Sequence, residues 1–401
     1  MPAKVSEDYV YLDYAATAPL CEEAARAMGP YQVPGRANLM VNANANSLHS
    51  PGRAAFEAME HARRTVARAL GAKRPDEIIF TSGATEADNA VIFGIVSAVA
   101  DAKRRAGQGG FTPHVIVSSI EHEAVLQAAH ELVQRGCRVS YVDPDARGFV
   151  TPDALERVID DDTVLVSVQM ANSEVGSIQP VADLAHIAHS RGALFHTDAV
   201  QALGKTPVDL AALDVDAASF AAHKIGGPKG VGALYLRTRT PFDAFMVGGG
   251  QEGARRSGTQ NVAGIVGFAA ACEAVCGMVD AEIARLGALR DKLYAALSSL
   301  GPVTPTVAVE PGSRAFLPNI VHVLVDGFES ETLILRLDME GFGISGGSAC
   351  ASHSLDPSHV LKAMGVSRDR ALGALRISMG RYTTEDDIDA FLTAFVHCLE
   401  W

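Results

Sequence analysis

The residue of this sequence that most clearly suggests chemistry is Lys224, which follows an apolar run and precedes a stretch rich in glycine and proline. A lysine shielded from water loses its proton more readily and can form a Schiff base with a carbonyl compound. Asp198 also follows an apolar run, at the kind of strand end where α/β proteins bind ligands. Each has an ordinary alternative, because Lys224 could be a solvated lysine and Asp198 could cap a helix.

Residues 80–89 have the pattern of a short strand, a tight turn of small residues and a helix start. The backbone amides of Gly83 and Ala84 and the hydroxyl of Thr85 would face one point at the helix N-terminus, which suits a phosphate group. The alternative is an ordinary helix N-cap by Ser82. A phosphate anchor, an aspartate and a lysine are the groups that a pyridoxal phosphate site needs.

Cys350 lies in residues 343–354, a small, polar and glycine-rich segment that predicts a loop. A structural cysteine would stand among apolar neighbours, whereas a thiol exposed on a loop can reach a substrate and attack it as the thiolate. An incidental surface cysteine is the alternative.

The remaining cysteines are scattered along the chain: Cys21, Cys137, Cys272, Cys276 and Cys398. Only Cys272 and Cys276 are close, and a spacing of four on one helix is poor for a disulfide. No second Cys/His pair gives them the spacing of a zinc site, so no metal is predicted. We expect reduced thiols and a cytoplasmic location.

The sequence resembles the class V, fold-type I pyridoxal-phosphate enzymes and, within them, the cysteine desulfurases of the NifS/IscS type. The resemblance runs almost end to end. The segments that carry it are residues 11–17, 46–50, 80–86, 121–122, 198–201, 223–224, 256–259, 345–350 and Arg376.

The resemblance implies a role for each residue around the ring of pyridoxal 5'-phosphate. Lys224 would hold the cofactor covalently and later move protons, and Asp198 would pair with the pyridinium nitrogen. His122 would stack on the ring and take part in acid–base steps. Gln201 and Ser173 would lie near the ring hydroxyl.

The resemblance also assigns the phosphate group. Thr85 and the amides of Gly83 and Ala84 would bind it together with His223. Thr259 would reach the phosphate of a partner subunit, so the active unit would be a homodimer.

For the substrate, the resemblance implies that Arg376 grips the carboxylate of L-cysteine, a bidentate task suited to arginine. Asn44 would help to hold that carboxylate. Cys350 would attack the substrate sulfur, giving L-alanine and a persulfide that passes to a sulfur-acceptor protein for iron–sulfur cluster assembly or another sulfur pathway. The ungapped match over residues 345–364 indicates the long loop of the IscS-like group.

The sequence departs from the family pattern at several positions. Ser173 stands where the family has a second asparagine, and Ala221 stands where it has a serine that contacts the phosphate. Ala45 replaces a proline, and residues 31–42 form a longer connection than usual. These changes keep open a selenocysteine lyase, another C–S lyase or an aminotransferase with the same cofactor. A scaffold protein that only binds sulfur-transfer partners is a further alternative.

The net charge of −13, from 34 Lys and Arg against 47 Asp and Glu, is a poor match for nucleic acid or an anionic membrane. The longest uncharged apolar stretch, residues 90–100, is shorter than the roughly 20 residues that a membrane span needs. We therefore expect neither nucleic acid nor a membrane as a direct partner.

The elements that must position these residues follow from the hydrophobic pattern. Short β-branched runs alternate with helical stretches up to about residue 260, which predicts a mainly parallel α/β sheet covered on both faces. The predicted strands are residues 77–80, 114–118, 138–142, 164–169, 193–196, 217–220 and 232–236. A long helix over 262–300, bent near Gly277, then leads to strands at 319–325 and 374–378 and a last helix from Thr384.

The fold expected with the family is fold-type I, with a large domain built on a seven-stranded sheet flanked by helices and a smaller α+β domain. We expect residues 20–262 to form the large domain. Residues 1–19 and 263–401 would form the small domain that carries the Cys350 loop.

Overall fold

The computed structural model describes residue 6, residues 8–346 and residues 357–400. Its strands are β1 Val10–Tyr11, β2 Ile78–Thr81, β3 His114–Ser118, β4 Arg138–Val142, β5 Thr163–Ser167, β6 Leu194–Asp198, β7 Ala217–Ala221, β8 Gly232–Leu236, β9 Val303–Pro305, β10 Ile320–Val325, β11 Phe342–Gly343 and β12 Ala374–Ser378. Its helices are α1 Glu22–Met28, α2 Ser50–Ala69, α3 Ala84–Arg105, α4 Glu123–Gln134, α5 Pro152–Glu156, α6 Val181–Ser190, α7 Leu210–Leu213, α8 Val262–Gly277, α9 Val279–Leu297, α10 Ser330–Met339, α11 His359–Ala363, α12 Arg368–Ala371 and α13 Glu385–Leu399.

The central element is a seven-stranded sheet with the strand order β2-β8-β7-β6-β5-β3-β4. Strands β3 to β7 pair in parallel, and β8 is antiparallel to both of its neighbours. Strands β3, β5 and β7 are buried at every residue, as expected for strands covered by helices on both faces. The predicted α/β fold with a mainly parallel seven-stranded sheet is confirmed.

The topology brings the predicted site residues to one edge of this sheet. Because β2 and β7 are both antiparallel to β8, β2 runs in the same direction as β7. The carboxyl ends of β2, β3, β5, β6 and β7 therefore meet at a single edge. This is the edge at which open α/β sheets bind ligands.

A second core lies around the antiparallel sheet β12-β10-β9 and the helices α9, α10 and α13. The parallel pair of β1 with β11 ties the N-terminal strand to this part of the chain. The α+β character expected for the C-terminal region is therefore present. The domain boundary after residue 262 stays a prediction, and the buried side chains of α8 belong to the core around the large sheet.

Helices α8 and α9 form the long bent helix that the sequence predicts, with a bend of 71° between them. Taken together, these two helices reach the length and apolar composition of a membrane span. No single helix of the described residues does so.

Candidate active site

A cavity of about 510 Å³ opens at the carboxyl edge of the large sheet. Most of the predicted site residues line it: Gly83, Ala84, Thr85, His122, Ser173, Asp198, Gln201, His223, Lys224 and Arg376. The structure thus brings together residues that lie almost 300 positions apart in sequence. Asn44 and Thr259 are not among its lining residues, and Cys350 lies outside the described residues.

Lys224 reaches the cavity from the short 3₁₀ turn Ala222–Ile225 that follows β7. Its Nζ donates to the carbonyl oxygens of Ala15 and Ala16, at 2.5 and 2.8 Å. The side-chain amide of Gln201 donates to the same Ala15 carbonyl at 2.9 Å. The N-terminal segment therefore fixes the lysine amine in the cavity, a contact that the sequence did not indicate.

The cavity wall next to Lys224 carries several basic groups. His223 lies beside Lys224, and its Nδ1 is 3.1 Å from the hydroxyl of Thr17. Burial, then the nearby lysines Lys224, Lys229 and Lys205, lower the pKa of His223 to about 4. His223 is therefore neutral at physiological pH and offers a ring nitrogen for hydrogen bonding.

Carboxyl groups also line the cavity. Asp198 is the last residue of β6, and its Oδ1 accepts the backbone N–H of Val200 at 2.9 Å. Burial raises the pKa of Asp198. Asp88, on α3, also lines the cavity, and its Oδ1 lies 3.7 Å from Nε2 of the buried His196. Burial and then the charge of Asp198 raise the pKa of Asp88 well above its ordinary value.

The sequence reasoning missed Asp88. In the folded chain Asp88 falls among the buried positions Ala87, Val91 and Ile92 of α3, and the sequence alone did not mark this burial. A carboxylate at such a position is costly unless it is paired, so it indicates a functional site.

His122 lies at the N-cap of α4, where its Nδ1 accepts the backbone N–H of Ala124 at 3.1 Å. A ring nitrogen that accepts a hydrogen bond carries no proton, so the proton of the neutral ring is on Nε2. Glu121 precedes it in the chain, and burial raises the pKa of Glu121 to about 8. The backbone thus fixes both the tautomer and the orientation of His122.

One end of the cavity is built by the turn between β2 and α3. Gly83, not Ser82, is the N-cap of α3, and no side chain caps this end of the helix. Ser82 instead donates its hydroxyl to Glu86 at 2.5 Å. The first amides of a helix have no acceptor within the helix, and a Cβ built on Gly83 would meet no atom within 4 Å. An uncapped helix start next to open space suits an anion.

Arg376, on β12, is 2% exposed. Its Nη1 donates to the carbonyl of Ser173 at 3.0 Å, and its Nη2 donates to Asp13 at 2.7 Å. Its Nε has no hydrogen-bond partner among the described residues. The guanidinium is therefore oriented by two contacts and keeps donor capacity for an anion in the cavity.

Asn44 and Thr259 lie together on an exposed surface outside the cavity. Asn44 accepts the backbone N–H of Asn46 at 2.9 Å, and the side chain of Asn46 donates to Gln260, next to Thr259, at 2.9 Å. Exposed apolar side chains also occur in the chain segment that precedes and follows Asn44, at Val33, Leu39, Met40 and Leu48, and in the segment before Thr259, at Met246 and Val247.

The described residues on either side of the Cys350 segment contact the walls of the cavity. Ser345 and Arg376 exchange backbone hydrogen bonds of 3.2 and 2.7 Å. On the other side, Ser358 donates to Glu174 at 2.5 Å, and His359 Nε2 is 2.9 Å from the carbonyl of Glu121. Glu174 follows Ser173 in the chain, and Glu121 precedes His122.

The donor set of the cavity fits pyridoxal 5'-phosphate. Asp198 and Asp88 suit a protonated ring nitrogen, and the partnerless Oε1 of Gln201 suits a hydroxyl. The start of α3 suits a phosphate, and the amine of Lys224 suits an aldehyde. The cavity thus has carboxyl groups for the ring nitrogen of the cofactor and a helix start for its phosphate.

Comparison with known proteins agrees with this geometry. The family model described as aminotransferase class-V matches residues 10–391. A cysteine desulfurase IscS from Dictyoglomus turgidum is 41% identical over 98% of this chain and 94% of its own length. A solved NifS-like protein superposes with a TM-score of 0.87 at 39% identity, covering 98% of this chain and 99% of that protein. A structure described as SspA in complex with cysteine superposes with a TM-score of 0.77 at 31% identity, covering 94% of this chain and all (100%) of that protein.

Proposed function

Because the chain belongs to the class-V aminotransferase family, we propose that it is a pyridoxal-phosphate-dependent cysteine desulfurase that releases L-alanine from L-cysteine. The observation that carries the proposal is the amine of Lys224, held by the Ala15 and Ala16 carbonyls in a cavity between carboxyl groups and an uncapped helix start. The relative named cysteine desulfurase and the neighbour described with cysteine support this choice of substrate.

Pyridoxal phosphate supplies an electron sink that stabilises negative charge at the substrate carbon. Lys224 would hold the cofactor through its aldehyde carbon, and its Nζ would accept and donate protons. Asp198 keeps the ring nitrogen protonated, which maintains that sink. His122 lines the cavity and would contact the ring, and its Nε2–H would serve acid–base steps. Ser173 and Gln201 hydrogen-bond the ring hydroxyl.

Thr85, His223 and the amides of Gly83 and Ala84 bind the phosphate. Arg376, which lines the cavity, binds the carboxylate of L-cysteine with its guanidinium. Excluding water from a buried Arg376 strengthens this charge-assisted hydrogen bond.

Cys350 accepts the sulfur. Its thiolate attacks the sulfur of the bound substrate, an S–S bond forms, and the bond between that sulfur and Cβ breaks. The electron pair of the broken bond stays with the carbon fragment, which leaves as L-alanine after protonation. The contacts of Ser345 with Arg376 and of Ser358 with Glu174 support this role, because they hold both flanks of the cysteine segment beside the cavity.

A homodimer is part of the proposal. Thr259 would serve the phosphate site of the partner subunit, which accounts for its exposed place outside the cavity of its own chain. The exposed apolar side chains near Asn44 and Thr259 support burial of this surface against a second copy.

The persulfide passes to a sulfur-acceptor protein of a cluster-assembly or other sulfur pathway, and the protein works in the cytoplasm. Free thiols support a reducing compartment, since the cysteines among the described residues are unbridged.

The proposal is tested by measuring L-alanine and sulfide from L-cysteine with the wild-type protein, Lys224→Ala and Cys350→Ala. We expect turnover by the wild type only, and Lys73→Ala, which changes an exposed lysine, should behave like the wild type. If the pyridoxal-phosphate-loaded wild type released no L-alanine from L-cysteine, the proposal would be wrong.

Ser173 and Ala221 favour a second candidate, a selenocysteine lyase, another C–S lyase or an aminotransferase with the same cofactor. A changed contact at the ring hydroxyl or the phosphate alters how the ring is held. Turnover that prefers another amino acid and is unchanged in Cys350→Ala would support this candidate over the desulfurase.

A further inference from the structure

Lys205 is a buried lysine behind the proposed cofactor site. It lies on the turn that follows β6 and is 8% exposed. Its Nζ donates to the main-chain carbonyl of Lys224 at 3.2 Å. A buried ammonium is costly unless a carboxylate pairs with it. Lys292, for example, is paired with the carboxylates of Glu385 and Asp389. No carboxylate of the described residues forms such an ion pair with Lys205.

Lys205 and Lys224 both line a small cavity of about 70 Å³ between the two cores. The other titratable or charged groups around it are Tyr14, Cys21, Glu282, Arg381 and Tyr382. The one carboxylate of this set, Glu282, is engaged by Arg285 at 2.8 Å. No carboxylate of the described lining is therefore left to neutralise Lys205.

Burial and, to a smaller extent, the charge of Lys224 lower the pKa of Lys205 to about 7. Coulomb repulsion is mutual, so an ammonium at Lys205 also disfavours an ammonium at Lys224. This repulsion acts below about pH 7, where Lys205 is protonated, and disappears as Lys205 becomes neutral.

We propose that Lys205 is a positioning residue for Lys224: its amine holds the main chain of the Ala222–Ile225 turn, and its protonated form favours the neutral amine on Lys224. The inference rests on the proposed function, in which Lys224 must be neutral to bind an aldehyde or accept a proton. Lys205 thereby keeps the amine of Lys224 neutral, and so reactive, at a lower pH.

The test measures the amine of Lys224 without catalysis. The full-length protein is stripped of carbonyl compounds with hydroxylamine, and its lysines are acetylated by a trace of acetic anhydride at several pH values. Mass spectrometry then gives the labelling rate of Lys224, with exposed Lys362 on α11 as the internal reference. The variants are Lys205→Met, which removes the charge, and Lys205→Arg, which keeps a permanent one. Lys73→Met is the matched control for the loss of one lysine.

We expect Lys205→Met to slow the labelling of Lys224 about tenfold near pH 6, with no difference near pH 9. Lys205→Arg should match the wild type near pH 6 and exceed it near pH 9. An equal change at both pH values, or no change in a folded variant, overturns the proposal. If Lys205→Met does not fold, Lys205→Gln is held to the same criterion.

The outcome is separable from that of the proposed function. The labelling rate of Lys224 does not depend on the substrate, so a pH-dependent effect of Lys205 stands even if L-cysteine is not turned over.

Discussion

Arg376 and Asp13 form a short ion pair, with Nη2 of the arginine 2.7 Å from Oδ1 of the aspartate. The pair connects β12 with the N-terminal segment, and that same segment supplies the carbonyls that hold Lys224. One stretch of chain thus orients both the proposed carboxylate-binding residue and the proposed cofactor lysine.

Replacing Arg376 with lysine should raise the KM for L-cysteine at least about tenfold, because a lysine cannot bind a carboxylate bidentately while donating to Asp13 and Ser173. Steady-state kinetics check this. Arg370→Lys, at an exposed arginine on α12, should leave the KM unchanged. An unchanged KM in Arg376→Lys would remove the arginine from the substrate site.

Ala221 lines the cavity, at a position where the family resemblance implies a serine that contacts the phosphate. Ala221→Ser should add one hydrogen bond to the phosphate and lower the Kd for pyridoxal phosphate about tenfold. Fluorescence titration measures the Kd, and Ala211→Ser, at an exposed position, is the control. Weaker cofactor binding in Ala221→Ser would place the phosphate elsewhere.

The stability of the cofactor-free protein should depend on pH through Lys205. Its pKa is about 7 when folded, against 10.5 ordinarily, so the unfolded chain binds more protons between these values. The contribution of Lys205 to stability therefore falls as the pH is lowered from 10.5 to 7, by up to about 1.4 kcal/mol per pH unit, and is constant below 7.

Urea unfolding of the wild type and Lys205→Met across this range checks the slope. The wild type should lose stability relative to Lys205→Met as the pH falls, whereas Lys73→Met should follow the wild type. Parallel curves for the wild type and Lys205→Met would mean that Lys205 is not titrating in the folded protein.

Arg63 and Glu252 form a buried bidentate pair at 2.6 and 2.9 Å, and Glu252 also accepts the backbone N–H of Phe80 at 3.0 Å. Glu252→Ala should cost about 3 kcal/mol in the free energy of unfolding, because it leaves a buried guanidinium without this partner. Glu22→Ala removes an exposed glutamate paired with Arg26 at 4.0 Å and should cost less than about 1 kcal/mol. Similar losses in the two variants would contradict this account.

The sequence predicted the large sheet well because its strands are buried on both faces and read as short apolar runs between helices. It missed β1, since a two-residue strand has no periodicity and its partner, Phe342–Gly343, is more than 300 residues away. A separation of 208 and 209 residues likewise hid the Ala16 and Ala15 carbonyls that hold Lys224.

Within the site, Lys224, Asp198 and the residues 83–85 were identified because each follows a predicted strand. Lys205 and Asp88 were not, because nothing local marks a lysine after a turn or an aspartate in a helix as buried. Their significance depends on burial and on neighbouring charges, which only the folded chain specifies.

The most direct test of the account is peptide mass spectrometry of the pyridoxal-phosphate-loaded protein after incubation with L-cysteine. We expect the added mass of one sulfur atom on Cys350, and none on Cys21, Cys137, Cys272, Cys276 or Cys398. The modification should be absent in Lys224→Ala and removed by a thiol reductant. Release of alanine without any sulfur on Cys350 would contradict the central claim that this cysteine carries the sulfur.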